Sequence, residues 1–214
     1  MKKNILSFTA IALIASATIF TGCKKDDTTA PVVTLVGGDK TMSLQGTYTE
    51  LGATAQDDKD GAITPTISGT VDVNHTGVYV ITYMAMDAAG NEGTATRNVT
   101  VVNDVDNMTG TYACSITSLS PAYNYTQTVT ASPTLNKRIL FGKFGDYSGN
   151  TGIYADIVGT TITLPSQTAV MVGNPATNRT FAGSGATVTG GFGLNYTETT
   201  STGSVNTVET FVKN

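Results

Sequence analysis

The chain has 214 residues with 12 basic and 16 acidic side chains, a formal net charge of −4, one His, two Cys and no Trp. An acidic chain with no basic cluster is a poor partner for a phosphate backbone, so nucleic acid is excluded as a ligand class. A single His and so little Cys also leave out the usual catalytic triads and His/Cys zinc sets.

The N-terminus reads as a processing signal. Lys2 and Lys3 precede an apolar run from Ile5 to Phe20 that closes on Thr21-Gly22-Cys23. The run is shorter than the roughly 20 residues a bilayer span needs. Residues 1–22 resemble a bacterial lipoprotein signal peptide whose lipobox ends at Cys23. The resemblance implies lipidation of Cys23 by a diacylglycerol and an amide-linked acyl chain. Several acyl chains, at about 0.8 kcal/mol per buried methylene, make such an anchor effectively permanent. Residues 23–29 then form a tether. Its Lys24-Lys25-Asp26-Asp27 cluster resembles the export signal of Bacteroidetes surface lipoproteins, and implies an outward-facing, lipid-anchored position on the outer membrane.

Residues 30–103 read as a small all-β domain. Candidate strands are Val32 to Val36, Thr41 to Leu44, Ala53 to Gln56, Ala62 to Ser68, Val71 to Val73, Val78 to Met86 and Thr94 to Val102. Turns fall at Gly37-Gly38-Asp39, at Asp57 to Gly61 and at Ala88 to Gly93, the spacing of a sandwich. The stretch Thr76–Val102 organises the domain. In its first strand Tyr79, Ile81, Tyr83 and Ala85 share one face, and Val80, Thr82, Met84 and Met86 the other. Both faces are rather apolar, which predicts a central strand. In its second strand Ala95, Arg97, Val99 and Val101 share a face. Gly77-x-Tyr79-x-Ile81 has the spacing of an immunoglobulin tyrosine corner, with Ile81 where an antibody domain has a cysteine, so no disulfide is expected.

Ala30 to Leu35, Leu51 to Ala55, Asp57-x-x-Asp60-Gly61, Gly77-x-Tyr79 and Asp87-Ala88-Ala89-Gly90-Asn91 together resemble the bacterial Ig-like domain of surface lipoproteins, adhesins and some insecticidal crystal toxins. That family implies a spacer or interaction module without catalysis, and its functions are mixed.

Asp57, Asp60, Asp87 and Asp104 sit in turns or in the interdomain joint and offer hard oxygens of the kind calcium takes. The spacing is not that of an EF-hand, and Asp at a turn has a purely local use as well. No other cofactor is expected. His75 reads as an exposed turn residue and Cys114 as a buried apolar thiol.

Residues 106–214 alternate in nine segments: Thr109 to Thr117, Tyr123 to Ala131, Arg138 to Phe144, Gly152 to Val158, Thr160 to Leu164, Thr168 to Val172, Arg179 to Thr189, Phe192 to Thr199 and Ser204 to Val212. The expectation is an antiparallel β-meander, barrel or sandwich. Gly110-Thr111-Tyr112, Ile162 to Gln167, Gly183-Ser184-Gly185 and Leu194 to Thr197 resemble the small, lipocalin-like C-terminal β domain of Bacteroidetes surface lipoproteins. Tyr123, Tyr125, Tyr147 and Tyr154 are candidates for stacking on sugar rings, with filling of a small core as the plain alternative. Glu198 and Glu209 are acidic, but nothing in their context marks a glycosidase pair.

The whole reads as an all-β, non-enzymatic cell-surface lipoprotein: an Ig-like β-sandwich followed by the meander, acting in binding or scaffolding and accessory to glycan capture. Its expected partners are the membrane, through the lipid, and a glycan or surface protein. The alternative is a carrier of a small apolar ligand inside a C-terminal barrel, distinguished by an interior cavity.

Overall fold

The computed structural model describes residues 26–147, 152–171 and 177–214. The expected signal peptide, residues 1–22, and the expected lipidation site Cys23 lie outside the described residues. The first domain contains β1 (Val32–Leu35), β2 (Lys40–Ser43), β3 (Ala53–Asp57), β4 (Gly61–Ile63), β5 (Thr66–Ser68), β6 (Gly77–Met86) and β7 (Glu92–Val102). They form two sheets, β1-β3-β4 and β2-β7-β6-β5. Period-two alternation turns Ile81, Tyr83 and Val99 inward, where they pack on Val33, Leu35, Met42, Tyr48 and Ala53.

Two local expectations change. The segment Ala62 to Ser68 is two strands: Pro65 lacks an N–H to continue a ladder, so β4 stays on β3 while β5 joins β6 in the other sheet. Val71 to Val73 forms no strand. β6 is central, between β7 and β5, yet only one of its faces is covered; Val80 and Met86 on the other are about half exposed, at 50% and 49%. The tyrosine corner is present, with Tyr79 Oη donating to the carbonyl of His75 at 2.8 Å.

Arg97 shares the inward face of β7 and is fully buried. Its guanidinium donates to the carbonyls of Val36 (2.7 Å) and Gly52 (3.2 Å) and pairs with Glu50. Glu50 also accepts from Tyr48 Oη (2.5 Å), Tyr83 Oη (2.5 Å) and the Gly52 N–H (2.7 Å). With Arg97 buried and Glu50 partly exposed, the pair offsets its desolvation only when its remaining hydrogen-bonding capacity is filled in this way. Burial pushes the Glu50 carboxyl up, but the Tyr48, Tyr83 and Gly52 donors and the Arg97 charge outweigh it and hold the group at about 2.

After a single 3-10 turn, Asp106–Met108, the second domain runs through β8 (Gly110–Ile116), β9 (Tyr123–Ala131), β10 (Arg138–Phe141), β11 (Tyr154–Val158), β12 (Thr161–Met171), β13 (Thr177–Val188), β14 (Gly191–Thr200) and β15 (Gly203–Lys213). Each strand pairs antiparallel with the next, and β15 returns to β8, so the meander closes into an eight-stranded barrel without free edges. The two expected segments Thr160 to Leu164 and Thr168 to Val172 join in one strand, β12, whose register shifts between Leu164 and Gln167. Pro165 lies in that bulge, where its missing N–H breaks no ladder bond.

The barrel interior is filled by rings. Phe192 stacks on Phe211 at 4.3 Å, Tyr112 meets Phe192 at 5.3 Å, and Phe144 lies 4.9 Å from Phe141 and 5.1 Å from Phe181. The outer face of β9 carries exposed Asn124, Thr126, Thr128 and Thr130.

The two domains meet at Asn103, which is 2% exposed. Its side chain donates to the carbonyls of Ser132 and Leu135, both at 2.8 Å, and accepts from the Lys137 N–H at 2.8 Å. The β9–β10 turn is further fixed by the Thr76 N–H on the Pro133 carbonyl (2.9 Å) and the Asn136 N–H on Gln45 Oε1 (3.2 Å).

Candidate functional site

The Asn103 junction occupies one end of the barrel, so the opposite mouth points away from the sandwich. Residues 142–147, the described start of the β10–β11 connection, lie at that mouth. Its 3-10 turn, Phe144–Asp146, drives the Phe144 ring inward among Phe141, Phe181 and Tyr196. The turn depends on Gly145, whose φ of +64° disfavours a side chain and whose added Cβ would press on the Tyr147 ring at 3.0 Å.

Three of the four tyrosines singled out in the sequence gather at this far mouth. Tyr123 stacks on Tyr125 with centroids 6.2 Å apart, and its hydroxyl donates to Asp146, which also pairs with Lys143 at 2.8 Å. Tyr125 Oη accepts from the Gly145 N–H at 3.1 Å. Arg179 lies 4.4 Å above the Tyr147 ring, donates to its hydroxyl at 2.8 Å and pairs with Glu198. Tyr123 is the most open of the three, at 46% exposure. Tyr154 is elsewhere. Alternation on β11 sends Ala155 and Ile157 inward, leaving Tyr154 on the outer wall beneath Arg138 at 3.7 Å, with Arg138 bonded to Asp156 at 2.7 and 2.9 Å.

Glu209 lies below this rim with no exposure. It accepts from Tyr125 and from Tyr196 (3.0 Å), and burial raises its carboxyl to about 7 against the pull of those two hydroxyls. Both of its oxygens accept hydrogen bonds, and Glu198 is held by Arg179 and Tyr147. Cys114, on β8 alongside β15, takes a weak bond from Gln127 at 3.6 Å, and burial pushes its thiol up to about 11, away from the thiolate form.

Arg179, Glu198, Lys143 and Asp146 were not anticipated as rim residues. Alternation with Phe181 does put Arg179 on the inward face, but the Phe181–Glu198 pairing that brings the arginine to its partner is set by β13–β14 register. At the other end a cleft of about 350 Å³ is lined by Asp104, Val105, Met108, Tyr112, Ile157 and Lys213.

The acidic residues separate into different places. Asp57 and Asp87 come together, and Asp27 of the tether joins them, one carboxylate oxygen of each lying within 4.8 Å of the others. Asp60 instead accepts from the Ala88 N–H at 2.6 Å, and Asp104 accepts from Asn136 Nδ2 at 3.0 Å in the interdomain joint. His75 is exposed and bonds Asp72 at 2.9 Å.

No curated protein matches. Among solved structures, a lipoprotein from Bacteroides thetaiotaomicron is similar at 18% identity over 86% of this chain and 100% of its own, with a TM-score of 0.34. The structure of CBM51-2 in complex with GlcNAc and INT domains from Clostridium perfringens ZmpB is similar at 14% identity over 85% of this chain and 43% of its own, with a TM-score of 0.29. Residues 33–101, which span β1 to β7, match the family described as bacterial surface protein, Ig-like domain.

Proposed function

We propose that this is a non-enzymatic, lipid-anchored protein of the outer-membrane surface, whose Ig-like domain holds the barrel away from the bilayer and whose far rim binds glycan. One observation carries the reading: the barrel is packed with contacting rings, while exposed Tyr123 and half-buried Tyr147 stand at its far mouth among pre-ordered charged groups. Sugars are held by aromatic faces and by polar groups already fixed in place, because little ordering is left to oppose binding. Internal carriage of an apolar ligand is disfavoured, since such a ligand must displace the Phe192–Phe211 and Phe144–Phe181 contacts. The test is a glycan array probed with the soluble protein lacking residues 1–23. Glycan hits that disappear in Tyr123→Ala support the reading, and a blank array overturns it.

A further inference from the structure

The Asp27, Asp57 and Asp87 carboxylates converge at one end of the sandwich, from three separate stretches of chain. Asp57 closes β3 and is 3% exposed. Its Oδ1 is used by its own turn, accepting from the N–H groups of Lys59 and Asp60, both at 2.9 Å. Its Oδ2 is buried and takes no hydrogen bond. A buried carboxylate oxygen without a donor is costly, because nothing replaces the water it has lost.

Asp87 follows β6, is 6% exposed, and is oriented by Asn91, whose N–H donates to Oδ1 (2.8 Å) and whose side-chain amide donates to Oδ2 (2.7 Å). The same amide donates to the Asp27 backbone carbonyl at 3.1 Å and draws the tether onto the domain. Asp27 Oδ1 accepts from the Thr29 N–H at 3.1 Å and pairs with Lys59 Nζ at 3.0 Å. Among the described residues, Lys59 is the cation paired with the group, and its side chain is 44% exposed. Among the described residues, one exposed ammonium against three carboxylates leaves a surplus of negative charge where two of the three groups are almost wholly out of water.

We propose that Asp27, Asp57 and Asp87 form a binding site for a calcium ion that fastens the tether to the Ig-like domain. Three carboxylates supply hard oxygens, Asp57 Oδ2 gains the partner it lacks, and Ca²⁺ completes its six to eight ligands with water and carbonyl oxygens. Asp27 lies just past Cys23, so the ion stiffens the chain where the proposed lipid anchor passes into the folded domain. The site is independent of glycan binding at the far rim.

The test is calorimetric titration of CaCl₂ into the full chain in detergent after EDTA treatment, with thermal midpoints measured alongside. Extracellular modules bind calcium at about 10⁻⁴–10⁻³ M. One ion per chain is expected in that range, with a midpoint that rises with calcium and returns on chelation. Asp57→Asn, which keeps the turn-forming Oδ1, and Asp87→Asn are expected to weaken binding about tenfold or more. Lys59→Met removes the competing cation and is expected to tighten it. Absence of saturable binding by about 10 mM, wild-type affinity in Asp57→Asn or Asp87→Asn, or loss of binding in Lys59→Met overturns the proposal.

Discussion

Asn103 donates its side-chain amide to the carbonyl of Ser132 at 2.8 Å, across the boundary between sandwich and barrel. With the bonds to Leu135 and Lys137, one buried side chain serves three backbone groups of the β9–β10 turn. Asn103→Ala removes the donor from the Ser132 and Leu135 carbonyls, at about 1–3 kcal/mol for each buried group left unsatisfied, while the Lys137 N–H keeps Asn136 Oδ1 at 2.9 Å. The expected outcome is a lower thermal midpoint and a wider spread of interdomain orientations by residual dipolar couplings. Unchanged couplings would show that the junction is held by other contacts.

The buried Glu209 makes the barrel sensitive to pH in an unusual direction. Its folded-state carboxyl is raised to about 7, so the folded protein binds a proton more tightly than the unfolded chain does. Stability from this group is fully present below the ordinary carboxyl range near 4.5 and is lost as pH rises through 7. Glu209→Gln keeps a polar partner for Tyr125 and Tyr196 and cannot ionise. Chemical denaturation from pH 4 to 8 is expected to show the variant gaining on the wild type as pH rises; a constant difference would refute the assignment.

Glu50 works in the opposite sense. Its carboxyl is held at about 2, so its contribution is present above its ordinary value and is lost as pH falls toward 2. Glu50→Gln leaves Arg97 buried without its counter-charge. Breaking a fully buried pair from one side costs about 3–5 kcal/mol, and the 27% exposure of the Glu50 side chain lowers the cost here. The deficit is expected to be largest near neutrality and to shrink on acidification, in denaturant melts of the variant against the wild type.

The carrier alternative has its own measurement. An interior filled by Phe192, Phe211, Phe144 and Phe181 is expected to leave the fluorescence of an apolar probe unchanged in the native protein. Stoichiometric uptake into the folded barrel would restore the carrier reading.

Much of the fold was legible because alternation is a local signal. Tyr79, Ile81 and Tyr83 on one face of β6, and Phe192, Leu194 and Tyr196 on one face of β14, are read directly from period two. Closure into a barrel was not legible, because it depends on β15 returning to β8 across nearly the whole domain. Pro65 and Pro165 show the limit well: the first separates two strands that read as one, and the second sits in a bulge within a strand that reads as two. The candidate site was half legible. Aromatic residues marked the rim, but Tyr154 fell on the outer wall, and the Arg179–Glu198 pair depends on register. Asp27 joined Asp57 and Asp87 only through the path of the tether over Asn91.

Chemical-shift mapping of the soluble protein against an oligosaccharide that scores on the array tests the central claim most directly. The account predicts perturbed amides around Tyr123, Gly145, Tyr147 and Arg179, abolished by Tyr123→Ala and retained in Tyr154→Ala. Perturbations confined to the sandwich, to the junction cleft or to the outer wall around Tyr154 would contradict it.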